Sequence, residues 1–227
     1  MMPTGCRIRR NFERPKKELV EAFRGLPVAN IDDCMGRIAA VDACICPLNP
    51  SVRLLGTAFT LRAPAGDNLM FHKALDMAQP GDVLVLANGG SMSRSLCGEI
   101  MSNYAKSRGL AGIIIDGCVR DSAALARLDF PVYAKGVTPN GPYKNGPGEI
   151  NFPVSFAGQV ICPGDILAGD ADGILVIKPE EAEELAARAK EVHVKEAGQL
   201  DGILTGKGWF RPWVDEILDE IGVGYID

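Results

Sequence analysis

DVLVLA at residues 82–87 and GIIIDG at residues 112–117 are short, apolar, β-rich runs, and the way each one continues decides the fold. The first passes through a loop with Gly89 and Gly90 into a helix-like stretch from about Gly98 to Arg108 that stops at Gly109. The second leads into Cys118-Val119-Arg120-Asp121, then a short helix over SAALARL (residues 122–128), then another apolar strand around residues 130–134. Strand, helix, strand, helix, strand predicts parallel pairing through right-handed crossovers, and hence an α/β class.

Upstream, Pro15 can open a helix whose apolar stripe is Leu19, Val20 and Phe23, closed by Gly25 and Pro27. A second helix is expected near residues 69–78, capped by Asp67 or Asn68 and ended by Pro80-Gly81. Downstream, residues 137–150 are rich in Gly, Pro and Asn and read as a long irregular loop of the kind that often carries function. β-like segments follow at residues 154–157, 159–162 and 173–177. Pro179 then opens a long helix with Glu180 and Glu181 in its first turn, where negative charge suits the dipole. No disordered linker divides the chain, so residues 1–227 read as one α/β domain with helical terminal extensions. Its core is expected at about residues 28–196, with a C-terminal extension at about 197–227.

A hydrophobic content of 47% over 227 residues is ample for a core. A net charge of −5 argues against a broad phosphate-binding surface, so no nucleic-acid partner is expected. The charged N-terminal segment has no apolar h-region and no later run approaches the ~20 apolar residues of a membrane span, so no membrane partner and a cytoplasmic location are expected. The seven cysteines are scattered without a C-x-x-C pair, and with only His72 and His193 beside them reduced thiols rather than a zinc site are expected. Neither G-x-x-x-x-G-K-[ST] nor G-x-G-x-x-G occurs, which weakens a nucleotide reading.

Ligands of open α/β sheets bind beyond the carboxyl ends of the strands, so the loops after DVLVLA and GIIIDG should meet and bring Gly98 and Glu99 near Arg120 and Asp121. A glycine running into a helix N-terminus offers free N–H groups to a carboxylate or phosphate, and Arg120 adds a bidentate cation. Asp121 is a hard oxygen ligand suited to Mg²⁺ or Mn²⁺, and Glu99 can hold a water of such an ion. Each residue also has a plainer reading: Asp121 as N-cap of SAALARL, Glu99 as a first-turn acid, Arg120 as a solvated loop residue, Asn68 as a helix cap. Glu196 is a misfit. Leu185, Ala189, Val192 and Glu196 follow at helical spacing, which sets a carboxylate on an apolar stripe near a helix C-terminus, either where the stripe leaves the core or where it enters a site on a neighbouring subunit. His72 and His193 are assigned no role, and Asp170 and Asp172 read as a turn.

The ordered segments DNLM (67–70), PGDVLVLANGG (80–90), CGEIMSNYAKSRGLAGIIIDGCVRD (97–121), FPVYAKG (130–136) and CPGDILAGDADGILVI (162–177) resemble the 4-hydroxy-4-methyl-2-oxoglutarate/4-carboxy-4-hydroxy-2-oxoadipate aldolases, a family that also holds the ribonuclease regulators called RraA-like. The resemblance covers about residues 28–196. It implies a swivelling β/β/α fold, assembled as homotrimers or homohexamers with active sites between subunits. It further implies a metal-dependent aldolase of class II type acting on 4-hydroxy-2-oxo diacids, with oxaloacetate decarboxylation as a side activity through the same pyruvate enolate. Carried over residue by residue, Asp121 binds the divalent metal and Glu99 holds a metal-bound water, where some members have the shorter aspartate. Arg120 contacts the oxo or enolate oxygen, and the amides of Ile100 and Met101, following Gly98, take the pyruvyl carboxylate. Asn68 lines the pocket and Glu196 enters from the adjacent chain. The alternative is a non-catalytic regulator that binds a ribonuclease or another protein; regulators can lack the Asp121 ligand that this chain retains.

Overall fold

The computed structural model describes residues 3–226. Its elements in chain order are β1 (Cys6–Ile8), α1 (Lys17–Glu21), α2 (Val28–Asp33), β2 (Cys46–Pro47), β3 (Leu54–Arg62), α3 (Leu69–Met77), β4 (Asp82–Cys97), α4 (Glu99–Ser107), β5 (Gly112–Val119), α5 (Ser122–Leu125), β6 (Val132–Val137), β7 (Gly148–Ile150), β8 (Val154–Phe156), β9 (Gln159–Ile161), β10 (Ile166–Asp170), β11 (Gly173–Ile177), a 3₁₀ turn at Pro179–Glu181, α6 (Ala182–Leu204) and α7 (Pro212–Glu220). One nine-stranded sheet runs β1-β7-β3-β4-β5-β6-β2, with β10 and β11 joined to it through β3. As the strand–helix alternation predicts, β3–β4, β4–β5 and β5–β6 pair in parallel, with Thr57 opposite Asp82, Val83 opposite Gly112 and Ile113 opposite Val132.

The strands read as unbroken apolar runs because both faces are covered. Leu84, Leu86, Ile113 and Ile115 pack under Phe71 and Leu75 of α3 and Ala105 of α4. Val83, Val85 and Ile114 face the other way, toward Val154, Phe156 and Ile161 of the β8–β9 hairpin. Each such side chain contributes about 1.5–3 kcal/mol on burial, so the two layers lock the strand register. A third cluster joins Val20, Phe23 and Ile31 to Leu175, Ile177, Leu185 and Ala189. The buried set therefore begins ahead of residue 28, the expected start of the core, because α1 joins this cluster by packing against β3 and α6, while α2 lies on β10 and β11. Among the described residues no helix is long and apolar enough to cross a membrane.

Three features depart from the sequence expectation. β3 and β10 carry no run as clear as their neighbours: Gly56, Thr57 and Thr60 dilute the first, and Gly169 the second. Gly56 is nevertheless required, since a Cβ there would lie 2.5 Å from the Gly81 carbonyl oxygen and 2.6 Å from the Ala111 Cβ. The strand DVLVLA does not stop at Ala87 but continues to Cys97, with three register shifts against β5, so that Ser91, Ser95 and Cys97 oppose Gly117, Cys118 and Val119. Gly89 and Gly90, at φ of 67° and 71°, supply the positive dihedrals that this bulged path needs. The irregular loop over residues 138–147 ends in a short strand, β7, and folds back on the bulged segment: the Ser95 amide and hydroxyl both donate to the Asn140 carbonyl, and Arg94 Nη1 donates to the Gly141 carbonyl.

Candidate active site

The carboxyl ends of β4 and β5 deliver Gly98 and Arg120 side by side, with the Arg120 amide donating to the Cys97 carbonyl at 2.9 Å. Between them and the 138–147 loop lies a cleft of about 300 Å³, walled by Asn68, Gly98, Ile100, Met101, Arg120 and Asp121 together with His72 and Lys144. Six of the eight residues singled out in the sequence thus share one pocket. Glu99 borders it through its backbone, and Glu196 is elsewhere in the chain. A larger cavity of about 590 Å³ opens at the other ends of the strands, around Gly56, Gly81 and Asp82. Two of its cations are already engaged, Arg14 by Asp82 and Arg24 by Glu21, and it sits away from the carboxyl ends where α/β sheets bind ligands.

Asp121 stands at φ +58°, a left-handed conformation that a non-glycine residue adopts at a cost and that clusters at functional sites. Its side chain does not cap α5, the plainer role open to it in the sequence. Instead Oδ2 accepts the Glu99 amide at 3.0 Å, capping the first turn of α4 from the neighbouring strand. Oδ1 has no protein partner among the described residues. Gly98 makes this possible: a Cβ there would come within 2.4 Å of Asp121 Oδ2, 3.0 Å of Arg120 Cγ and 3.3 Å of Arg120 Nε. Arg120 Nε lies 3.7 Å from Asp121 Oδ2, a half-exposed pair of small energetic weight that leaves the guanidinium available to a ligand.

Helix geometry leaves the first amides of α4 without intrahelical acceptors. Glu99 is met by Asp121 and Ser102 by the Gly98 carbonyl, whereas Ile100 and Met101 have no acceptor among the described residues. These two N–H groups and the positive end of the helix dipole form a place for a carboxylate. Asn68 closes the opposite wall. Its amide does not cap α3; Asp67 does that work, with Oδ1 accepting the Leu69 amide and Oδ2 accepting those of Asn145 and Gly146. Asn68 Nδ2 donates to the Leu96 carbonyl at 3.0 Å, and its Oδ1 is an orphan on a side chain only 2% exposed. An unmet buried acceptor costs about 1–3 kcal/mol, which a water or a ligand donor in the cleft would relieve.

His72 and Lys144 were not distinguished by the sequence: one is a lone helix histidine, the other sits in the irregular loop, and only folding brings them to one wall. Burial first, then the charge of Lys144, lowers the His72 pKa, so its imidazole is neutral at pH 7. Burial pushes the Cys97 thiol up to about 11, which rules it out as a thiolate nucleophile near neutrality. Glu196 lies on the exposed part of α6, where its Oε2 accepts Nδ2 of the buried Asn30 at 2.5 Å. Partnering Asn30 gives that carboxylate a reason to stand on the stripe within its own chain.

The donor set suits one kind of metal. Among the described residues no three His, Cys, Asp or Glu side chains converge on a point, which is unfit for zinc. Mg²⁺ and Mn²⁺ keep several waters and use one or two carboxylates, and the unpartnered Oδ1 of Asp121 with the exposed Glu99 next to it matches that habit.

Comparison with known proteins agrees with the fold and order of these elements. The family model described as Aldolase/RraA, RraA-like, matches residues 28–176. A Halalkalibacterium halodurans protein provisionally named 4-hydroxy-4-methyl-2-oxoglutarate aldolase is 37% identical over 201 residues, covering 88% of this chain and 96% of its own. The RNA-processing inhibitor RraA from Thermus thermophilis superposes with a TM-score of 0.62 at 29% identity, over 66% of this chain and 92% of its own. Streptomyces coelicolor RraAS2, described as an unusual member of the RNase ES inhibitor RraA family, gives a TM-score of 0.72 at 26% identity, over 81% and 97%.

Proposed function

The chain belongs to the RraA-like family of aldolases and RNA-processing inhibitors, and from that premise we propose that it is a pyruvate-forming, divalent-metal-dependent aldolase of class II type acting on 4-hydroxy-2-oxo diacids. The observation that carries this reading is the convergence of Arg120, Asp121 and the free amides of Ile100 and Met101 on one cleft. A 2-oxo acid presents two groups to such a cleft. Its carboxylate meets the two amides, and its 2-oxo oxygen meets Arg120, whose charge is best placed for the negative charge that develops there. Cleavage of the C3–C4 bond requires a proton to leave the C4 hydroxyl, turns C4 into a carbonyl and leaves the electron pair on C3, delocalised to the C2 oxygen. Protonation at C3 then yields pyruvate.

Mg²⁺ or Mn²⁺, when held by Asp121 with Glu99 behind a water, supplies Lewis-acid stabilisation of that charge. Glu99 accepts the departing proton by way of water, Asn68 Oδ1 accepts from a substrate hydroxyl, and Glu196 of a neighbouring copy completes the site in a homotrimer or homohexamer. Oxaloacetate decarboxylation develops charge at the same oxygen and is the expected side activity. The protein works in the cytoplasm. The test is pyruvate release from a panel of 4-hydroxy-2-oxo diacids and from oxaloacetate, with and without Mg²⁺ or Mn²⁺ after chelation. Metal-dependent release supports the reading, and turnover unaffected by chelation removes the metal from it.

A second reading, a regulator that binds a ribonuclease or another protein, is favoured by the likeness to the Thermus inhibitor. It needs neither Asp121 nor the cleft, and it is the better account if no substrate in the panel is turned over with either metal.

A further inference from the structure

β3 starts at Leu54, ahead of its first pair with β4, Thr57 opposite Asp82, while on its other side Leu54 to Thr57 already pair with β10. The sheet therefore has a notch at the amino ends of these strands. α1 packs against β3 and α6, and the turn that follows it, with Gly25 at φ 83°, spans the notch instead of filling it. What remains is the cavity of about 590 Å³, a size typical of small-molecule sites. Val20, Phe23 and Val28 give it an apolar wall. Arg14, Lys17, Arg24 and Arg53 stand around it against two carboxylates, Glu21 and Asp82, a local charge of +2 in a chain of net −5.

Two of these cations are committed within the fold. Arg14 is fixed by a bidentate bond to the buried Asp82 and stacks on Phe12, and Arg24 is held by Glu21. Arg53 makes one long hydrogen bond, 3.5 Å to the Leu26 carbonyl, and Lys17 has no ion-pair partner among the described residues. We infer that this cavity is a second ligand site, separate from the cleft, and that it takes a phosphate monoester with a compact apolar body. Two uncommitted cations facing one cavity suit a head group of two charges. A phosphate monoester carries about −1.5 to −2 near pH 7 and offers three acceptor oxygens, which match the planar fork of Arg53 and the point charge of Lys17. A monocarboxylate supplies one charge, and inorganic phosphate leaves the apolar wall in water. The cavity binds without reacting, since both its acids are tied into ion pairs and no histidine or cysteine lines it. The inference is independent of the chemistry assigned to the cleft.

The test is calorimetric titration of the full-length chain with phenyl phosphate, with hydrogen exchange to locate the ligand. Phenyl phosphate is expected to bind about tenfold or more tighter than inorganic phosphate or benzoate, and to slow exchange in residues 14–28 and 53–57. Lys17 and Arg53 are both exposed, so Lys17→Gln with Arg53→Gln should stay folded by circular dichroism and weaken binding about tenfold or more. Arg120→Gln, which removes the cation of the cleft, should leave the affinity within about twofold. An absence of heat at millimolar phenyl phosphate, binding lost in Arg120→Gln but kept in the double variant, equal affinity for inorganic phosphate or benzoate, or protection confined to α4 and residues 138–147 would each overturn the inference.

Discussion

Replacing Gly98 by alanine tests the site through a single methyl group. The Gly98 backbone is extended at φ −154° and ψ −164°, so alanine fits the chain and the effect comes from space alone. The new Cβ would stand 2.4 Å from Asp121 Oδ2, against an ordinary carbon–oxygen contact of about 3.4 Å, so the carboxylate must withdraw by about 1 Å. Its hydrogen bond from the Glu99 amide, now 3.0 Å, would stretch past the useful range. A charge-assisted bond of this kind is worth about 1.5–3 kcal/mol, but the carboxylate is 42% exposed and regains water, so a stability loss nearer 1 kcal/mol is expected. The catalytic effect should be larger, because about 1 Å of misplacement of a reacting group costs on the order of 10²-fold. Urea denaturation gives the first quantity, and kcat/KM for pyruvate release under saturating metal gives the second. A Gly98→Ala protein with unaltered turnover would mean that the contact between Gly98 and Asp121 does not set the site, whatever the stability change.

Asp121→Asn keeps an acceptor for the Glu99 amide and a side chain that tolerates the left-handed conformation, so its stability should stay within about 1 kcal/mol of the parent while metal affinity and turnover collapse; metal titration by calorimetry checks this, and undiminished affinity would count against Asp121 as the ligand. Glu196→Gln preserves an acceptor for Asn30 and should fold and assemble normally but turn over poorly. Co-assembly with Asp121→Ala subunits should restore part of the rate if Glu196 acts in trans, and verified mixed oligomers without recovery would exclude that. Burial alone would raise the pKa of Glu149, but the Gly5 amide, Arg7 and Arg62 outweigh it and hold the carboxyl below its ordinary value. Its stabilisation is therefore full above the unfolded value of about 4.3 and is lost as pH falls through the lower folded one. Both arginines are partly exposed, so Glu149→Gln should cost about 1–2 kcal/mol at pH 7, and the gap between variant and parent in denaturation midpoint should narrow as the pH falls below about 4.3.

The parallel order of β4, β5 and β6 was legible in the chain because DVLVLA and GIIIDG are buried on both faces and separated by helix-like spans, so local pattern and tertiary role coincide. The meeting of Gly98 with Arg120 and Asp121 followed from the same order, since adjacent parallel strands must end side by side. β3 was not legible: Gly56 is there to let Gly81 and Ala111 approach, and a residue chosen for the absence of a side chain leaves no apolar signal. The roles of Asp67, Asn68 and Asp121 could not be separated by sequence either, because each is a good helix cap in isolation. Tertiary structure assigned the capping to Asp67 and left Asn68 with a buried, unpartnered oxygen, and it turned Asp121 away from its own helix to the amide of Glu99. It also brought His72 and Lys144 to one wall from segments more than seventy positions apart. Periodicity reports what each residue does along its own element. Which side chain is left over to face a ligand depends on partners supplied across the fold.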